Sequence, residues 1–280
     1  MKITFLGSGS AFVKISENYQ SNILITVSEE QESETTTKNL LIDAGSHINE
    51  SLDSIGLDES DIHAIFLTHN HSDHNGGLEY IGFKTFFTPD IKDKPVLFAD
   101  TKVLTTLWDD VLQGNMRSIN GQQVNLSAYY NVKSVKPKTS FQFLGTVFTP
   151  VRMTHVVDHI DEVPSYGLKW EHNDVKFFFS GDTQFDFWRL MPFWEYADVI
   201  FQDCEFLEYE NSVHAQFHQL RDIPEQYRSK MWLYHYMLYG KTFEELETEV
   251  KSAGFAGLVK RGEEFDTNQL KGVINESINQ

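Results

Sequence analysis

The sequence predicts an α/β chain forming one domain over residues 1–280, on three observations. Short apolar runs, each closed by Gly, Asp, Ser or His, recur along the chain, as buried strands between turns do. Segments with apolar residues at i, i+3 and i+4 stand between them, the spacing of amphipathic helices. Strand runs fill both halves and no Pro- or Ser-rich linker divides them, so one continuous domain with two similar halves is expected.

In chain order, apolar runs at 3–6, 23–27, 40–42 and 62–67 read as strands, and the polar stretch 29–38 as the tip of a hairpin. Helical spacing over 48–55 stops at Gly56. Val103, Leu104, Leu107, Trp108, Val111 and Leu112 form one stripe over 100–113, with Asp100 or Thr101 as N-cap; such a stripe suits core packing or a dimer surface. Further strands are expected at 129–135, 141–143, 147–152, 166–170, 175–179, 199–201 and 231–234. A helix over 242–253 starts on Thr242, carries Glu245 where a capping box needs it, and ends at Gly254.

Forty-one acidic residues against 23 basic ones give a formal net charge of −18, and no basic run exceeds Lys260-Arg261. Neutralising phosphates along a nucleic acid requires clustered Lys and Arg, so large nucleic-acid partners are disfavoured, whereas a small anion held at bound metals is compatible. Cys204 is the single cysteine, which excludes an intrachain disulfide and suits a reducing compartment. Cytoplasmic residence is expected. The N-terminal apolar run is too short for a signal-peptide core or a membrane span, so no membrane partner is expected.

The strand run at 62–67 leads directly into His69, His71, Asp73 and His74, followed by Gly76 and Gly77. Alternation sends His69 and His71 to one side, Asp73 and His74 emerge further round, and the glycines let the backbone turn back, so two adjacent metal sites can be served. Imidazole with carboxylate suits Zn, Fe or Mn.

This His-x-His-x-Asp-His pattern resembles the signature of the metallo-β-lactamase superfamily. The resemblance implies a four-layer αβ/βα sandwich with metals between its two sheets. It further implies that His155, Asp182 and His235, each just after an apolar run, complete the sites: His69, His71, His155 and Asp182 in one, Asp73, His74, Asp182 and His235 in the other. The cofactor so implied is two divalent transition-metal ions, zinc or else manganese. The diiron-flavin branch resembles the pattern with a carboxylate at position 71, so hydrolysis is favoured over redox chemistry. Asp43 resembles the buried aspartate that orients a ligand imidazole.

Two such metals supply both nucleophile and electrophilic polarisation, leaving protonation of the departing alkoxide to a histidine that is not a ligand. His214 lies between Asp182 and His235 in sequence, and its surroundings resemble the histidine motif of the tRNA 3′-processing endonuclease branch. Cys204-Glu205 resembles that branch's acidic motif, which places Glu205 behind the ligands, and the segment 5–11 resembles its amino terminus. Catalysis would then fall on Asp73 and His214. His47, His63, His159, His172 and His218 lack such spacing and are expected at the surface or behind the ligands.

The tRNA enzymes typically insert a long arm between the third histidine and the bridging aspartate, where this chain has 26 residues. Ser180-Gly-Asp-Thr-Gln, Gln202-Asp-Cys-Glu, Val213-His-Ala and the segment 230–236 resemble the anti-Pycsar family of phage and bacterial cyclic-nucleotide phosphodiesterases. That resemblance implies a homodimer that opens 3′,5′-cyclic CMP, UMP, AMP and GMP to monophosphates. Tyr129, Tyr130, Phe193, Trp194, Tyr236 and Tyr239 are candidate base-sandwiching aromatics, each also suited to core filling. A tRNA 3′ endonuclease, a lactonase or thioesterase, and a non-catalytic nucleotide sponge are the competing readings.

Overall fold

The computed structural model describes residues 1–31, 34–89, 91, 93–136, 139–157, 163–210 and 212–278. Its first half contains β1 (Lys2–Phe5), β2 (Ile23–Gln31), β3 (Glu34–Ile42), β4 (Ile62–Phe66), β5 (Val96–Ala99), a small ribbon of β6 (Ser118–Ile119) with β7 (Gln122–Gln123), and β8 (Asn131–Ser134). The second half supplies β9 (Phe141–Phe143), β10 (Thr146–Met153), β11 (Ser165–His172), β12 (Val175–Phe179), β13 (Val199–Asp203), β14 (Met231–Tyr234), β15 (Gly257–Leu258) and β16 (Glu264–Asp266). One seven-stranded sheet runs β16-β1-β2-β3-β4-β5-β8, and a second runs β15-β14-β13-β12-β11-β10-β9. The two halves are tied at their ends, because β16 returns to pair antiparallel with β1.

Aromatic side chains join the sheets face to face. Phe5 of β1 meets Phe201 of β13 with ring centroids 4.9 Å apart, and Phe98 of β5 stacks on Phe141 of β9 at 4.3 Å. Ile200, Leu233 and Phe178 point the other way, into a second cluster with Leu190, Trp194, Leu246 and Val250. These four lie on the helices Phe187–Tyr196 and Phe243–Ser252, which cover the outer face of the second sheet. Ile48, Leu52, Leu78, Ile81, Val103 and Leu107 join the main core from the helices beside the first sheet. At roughly 1.5–3 kcal/mol per fully buried large side chain, these two apolar clusters are the main favourable term in folding.

Strand positions follow the apolar runs closely, with local differences that have physical causes. The hairpin of β2 and β3 extends through Gln31↔Glu34, so the polar stretch 29–38 is mostly paired strand; cross-strand pairs such as Ser28 with Thr37 replace an apolar face there, and the tip lies outside the described residues. The expected single helix over 100–113 is an α-turn capped by Asp100, a π-helical segment Leu107–Leu112, and a further α-turn. Trp108 packs against the core while Val111 is exposed, so the stripe is only partly buried. Tyr129 and Tyr130 precede β8 rather than belonging to it; their rings are buried and their hydroxyls donate to the Met116 and Leu78 carbonyls. The helices Leu78–Phe87 and Phe187–Tyr196, strands β5 and β16, and the helix Thr267–Ile278 had no counterpart in the sequence reading. Among the described residues, no helix is long and apolar enough to cross a membrane.

Candidate metal centre

Parallel strands deliver the site. β4 runs parallel to β3, and β12, β13 and β14 run parallel to one another, so Asp43, His69, Asp182, Asp203 and His235 stand at or just beyond their carboxyl ends. His155 follows β10, while Asp73 and His74 sit in the short helix Ser72–Asn75. Close backbone approach holds that helix: a Cβ on Gly45 would fall 2.1 Å from the Asp73 carbonyl oxygen, so only glycine fits. Asp43 and His235 adopt φ of 62°, left-handed values that non-glycine residues rarely take and that cluster where surrounding structure fixes a functional side chain.

All seven expected ligands converge in two groups that share Asp182. His69, His71, His155 and Asp182 place one donor atom each within 4.8 Å of one another, and so do Asp73, His74, Asp182 and His235. Asp182 Oδ2 is 3.1 Å from His74 Nε2, 3.4 Å from His235 Nε2 and 3.8 Å from both His69 Nε2 and His155 Nε2, the position of a bridging carboxylate.

The hydrogen bonds around the rings fix which nitrogen faces inward. Asp43 accepts from the Thr68 amide and hydroxyl at 2.8 Å and from His74 Nδ1 at 2.7 Å, which turns His74 Nε2 inward, 3.1 Å from Asp182 Oδ2 and 3.2 Å from Asp73 Oδ2. Thr68 Oγ1 in turn accepts from His69 Nδ1 at 2.9 Å, and His155 Nδ1 donates to the Val213 carbonyl at 2.8 Å. His69 Nε2 and Asp182 Oδ1 are buried with no hydrogen-bond partner. Inward imidazole nitrogens gathered on buried carboxylate oxygens call for positive charge between them, protons or a cation, and an imidazole–carboxylate donor set fits divalent transition metals.

The acid–base balance agrees. Burial pushes His69 well below the ordinary histidine range and His155 down to about 4, which keeps both as neutral donors. Burial also opposes charge on Asp182, but the His235 and His74 rings outweigh it and hold the carboxyl well below its usual range. His74 and His235 move the other way: burial disfavours their charge, yet Asp182 raises both well above 6.5. Their surroundings call for positive charge.

His214 stands beside these groups, its ring centroid 4.9 Å from that of His155 and stacked at 4.8 Å on His235. Its Nδ1 bonds Asp203 Oδ2 at 2.8 Å, and Asp203 also accepts from the Thr183 amide at 2.9 Å and lies 3.4 Å from His235 Nδ1. Burial would lower the pKa of His214, but Asp203 overrides it and raises it. The sequence reading did not single out Asp203, which stands behind His214 and His235 where that reading expected Glu205. The Glu205 carboxylate, two residues beyond the end of β13, is occupied by the Leu207 amide at 2.8 Å and the Tyr239 hydroxyl at 2.9 Å. His47, His63, His172 and His218 join none of the ligand groups among the described residues, and His159 lies outside them. Of the candidate aromatics, Tyr129, Tyr130, Trp194 and Tyr236 are core residues, and Tyr239 remains exposed.

The family model for the anti-Pycsar protein Apyc1 matches residues 1–265. The chain belongs to the anti-Pycsar Apyc1 family. Relatives named as Apyc1 include one from Paenibacillus harenae, 32% identical over 249 residues and covering 88% of this chain and 93% of that one. Another, from Bacillus phage BSP38, is 31% identical over 263 residues, covering 91% and 95%. Among solved structures, the metallo-β-lactamase-fold protein YhfI from Bacillus subtilis superposes with a TM-score of 0.69 at 17% identity, covering 95% of this chain and 99% of that one. The short form of human tRNase Z gives 0.60 at 15%, over the same shares. Yeast PDE1 gives 0.65 at 13%, over 94% and 98%. The Apyc1-family chain therefore has the metallo-β-lactamase fold, with the ligand groups at the rim between its two sheets.

Proposed function

We propose that this Apyc1-family chain is a metal-dependent phosphodiesterase that hydrolyses 3′,5′-cyclic mononucleotides, among them cyclic CMP, UMP, AMP and GMP, to nucleoside monophosphates, and so counters a cyclic-nucleotide antiphage signal. The observation that carries the reading is His214, held by Asp203 beside a complete pair of ligand groups. Two divalent ions, zinc or manganese, would be held by His69, His71, His155 and Asp182 and by Asp73, His74, Asp182 and His235, and when bound they supply a nucleophile at neutral pH and polarise the phosphoryl group. Asp203 accepts from His214 Nδ1 and favours the doubly protonated ring, whose Nε2 proton passes to the departing alkoxide oxygen and leaves His214 neutral, work worth about 10²–10⁴-fold in such sites. Asp43 and Thr68 fix the His74 and His69 rings, so the donors are in place before substrate arrives.

A single cyclic phosphodiester carries one negative charge, which suits a cationic site in a chain of net charge −18. The residues between His155 and Asp182 support a small substrate, since β11 and β12 occupy 165–179 and leave no length for an RNA-binding arm. A homodimer belongs to the same proposal; the exposed Tyr80, Phe86 and Phe87 on the helix Leu78–Phe87 favour a partnered surface. The test is chromatography of cyclic mononucleotides incubated with metal-loaded protein. Linear monophosphates should form, and form neither with chelator nor with His69→Ala. Unchanged cyclic substrate at full metal occupancy would overturn the proposal.

A further inference from the structure

A recess of about 540 Å³ takes His214 as part of its wall. Gln184 and Phe185, from the segment after Asp182, form another side; Tyr209 and, on the helical turn Phe217–Leu220, His218 and Gln219 complete it. The mechanism above uses only His214. The rest is held in place nonetheless. The Tyr209 carbonyl accepts from Gln216 Nε2 at 2.7 Å, and the Gln216 amide donates to Gln219 Oε1 at 2.9 Å. Glu205 ties the same loop to Tyr239. Gln184 gives its NH2 to the His155 carbonyl at 2.6 Å, which leaves its oxygen as an acceptor, and Gln219, its oxygen engaged, keeps its NH2 as a donor. Tyr209 is 47% exposed, so its ring is open to a ligand.

We infer that this recess is the nucleobase subsite, with Tyr209 and Phe185 as stacking faces and the Gln184 and Gln219 amides meeting the base edge. The inference rests on the proposed cyclic-nucleotide activity. The oxygen that His214 protonates belongs to the ribose, so the sugar stands against His214 and its base hangs within one sugar's reach, where the recess shares that wall. Stacking serves every base, because each has a π-face, while an amide acceptor and an amide donor read exocyclic groups. Glu208 and Glu210 also line the recess, and their charge opposes a second phosphate, so the occupant is a base rather than the next nucleotide of a chain.

The test compares metal-loaded wild-type protein with Tyr209→Ala and Tyr209→Phe on two substrates: cyclic AMP and the abasic ribose 3′,5′-cyclic phosphate. Tyr209→Ala should raise KM for cyclic AMP about tenfold with little change in kcat, leave the abasic substrate unaffected, and be rescued by Tyr209→Phe. An equal effect on both substrates, or none on cyclic AMP, overturns the subsite while the activity stands. Turnover of neither substrate by the wild type overturns the activity and the subsite together.

Discussion

At the scale of single residues, the Asp203–His214 pair is the most informative contact, because the proposed function gives it proton delivery although its donor atoms lie within 4.8 Å of those of Asp182 and His235. Asp203 raises the pKa of His214 against the effect of burial, so the protonated form persists to higher pH and is lost only as pH rises through that raised value. Asp203→Asn removes the raising charge and leaves burial, so the alkaline limb of the kcat profile should move to lower pH; an unmoved limb would assign that limb to another group. Asp43→Asn should weaken metal binding by about 10–100-fold, measured by titration with a competing chelator, since it frees the His74 ring without removing a ligand. Of the seven expected ligands, His69, His71, Asp73 and His74 were legible as a dense cluster after the run 62–67, while His155, Asp182 and His235 were picked out by the family resemblance, each just after an apolar run. Asp203 was legible in principle and was overlooked. Alternation puts Val199, Phe201 and Asp203 on one face of β13, and Phe201 meets Phe5 between the sheets, whereas Ile200 and Cys204 turn outward. That period admits both Asp203 and Glu205; the strand ends at Asp203, and beyond it the chain turns Glu205 toward the Leu207 amide and the Tyr239 hydroxyl, which the motif alone did not show.

At the scale of elements, strands were read well and several helices were not. A run such as 199–201 is apolar throughout and announces a buried strand, but Leu78–Phe87 carries Gly82 and exposed aromatics, and in Phe187–Tyr196 the stripe Phe187, Leu190, Met191 and Trp194 is there but interrupted by Pro192. Gly82 has a packing reason, because a Cβ there would meet the Met116 Cε at 2.8 Å. The helix Phe243–Ser252 was legible from its caps: Thr242 Oγ1 accepts from the Glu245 amide at 3.2 Å and Glu245 Oε2 accepts from the Thr242 amide at 2.8 Å. Thr242→Ala should therefore cost about 1 kcal/mol in denaturant unfolding, with the m-value unchanged. The metal loop depends on a tighter device. Gly45→Ala should lower the melting temperature and the metal content together, since the added Cβ must displace the Asp73 backbone; a variant that keeps both would show that the loop yields more easily than its contacts imply.

At the scale of the whole molecule, the two sheets act as a clamp: their inner faces bury the aromatic core and their carboxyl-end rim collects donors from both halves, with Asp182 shared between the groups. A larger recess, about 930 Å³, lies at the other ends of the strands, where Ile62 and Val96 begin β4 and β5, and takes no part in the site. The net charge of −18 works against an anionic substrate at long range. Screening it should raise kcat/KM severalfold as ionic strength increases toward about 0.15 M, the opposite of the salt dependence of a nucleic-acid binder. The central claim is that this site opens a small cyclic phosphodiester. It is tested most directly by measuring kcat/KM of metal-loaded protein on a panel of cyclic mononucleotides, linear dinucleotides and precursor tRNA. The account predicts turnover concentrated on the cyclic mononucleotides and lost in His214→Ala at undiminished metal content; specific cleavage of precursor tRNA with the cyclic nucleotides untouched would contradict it.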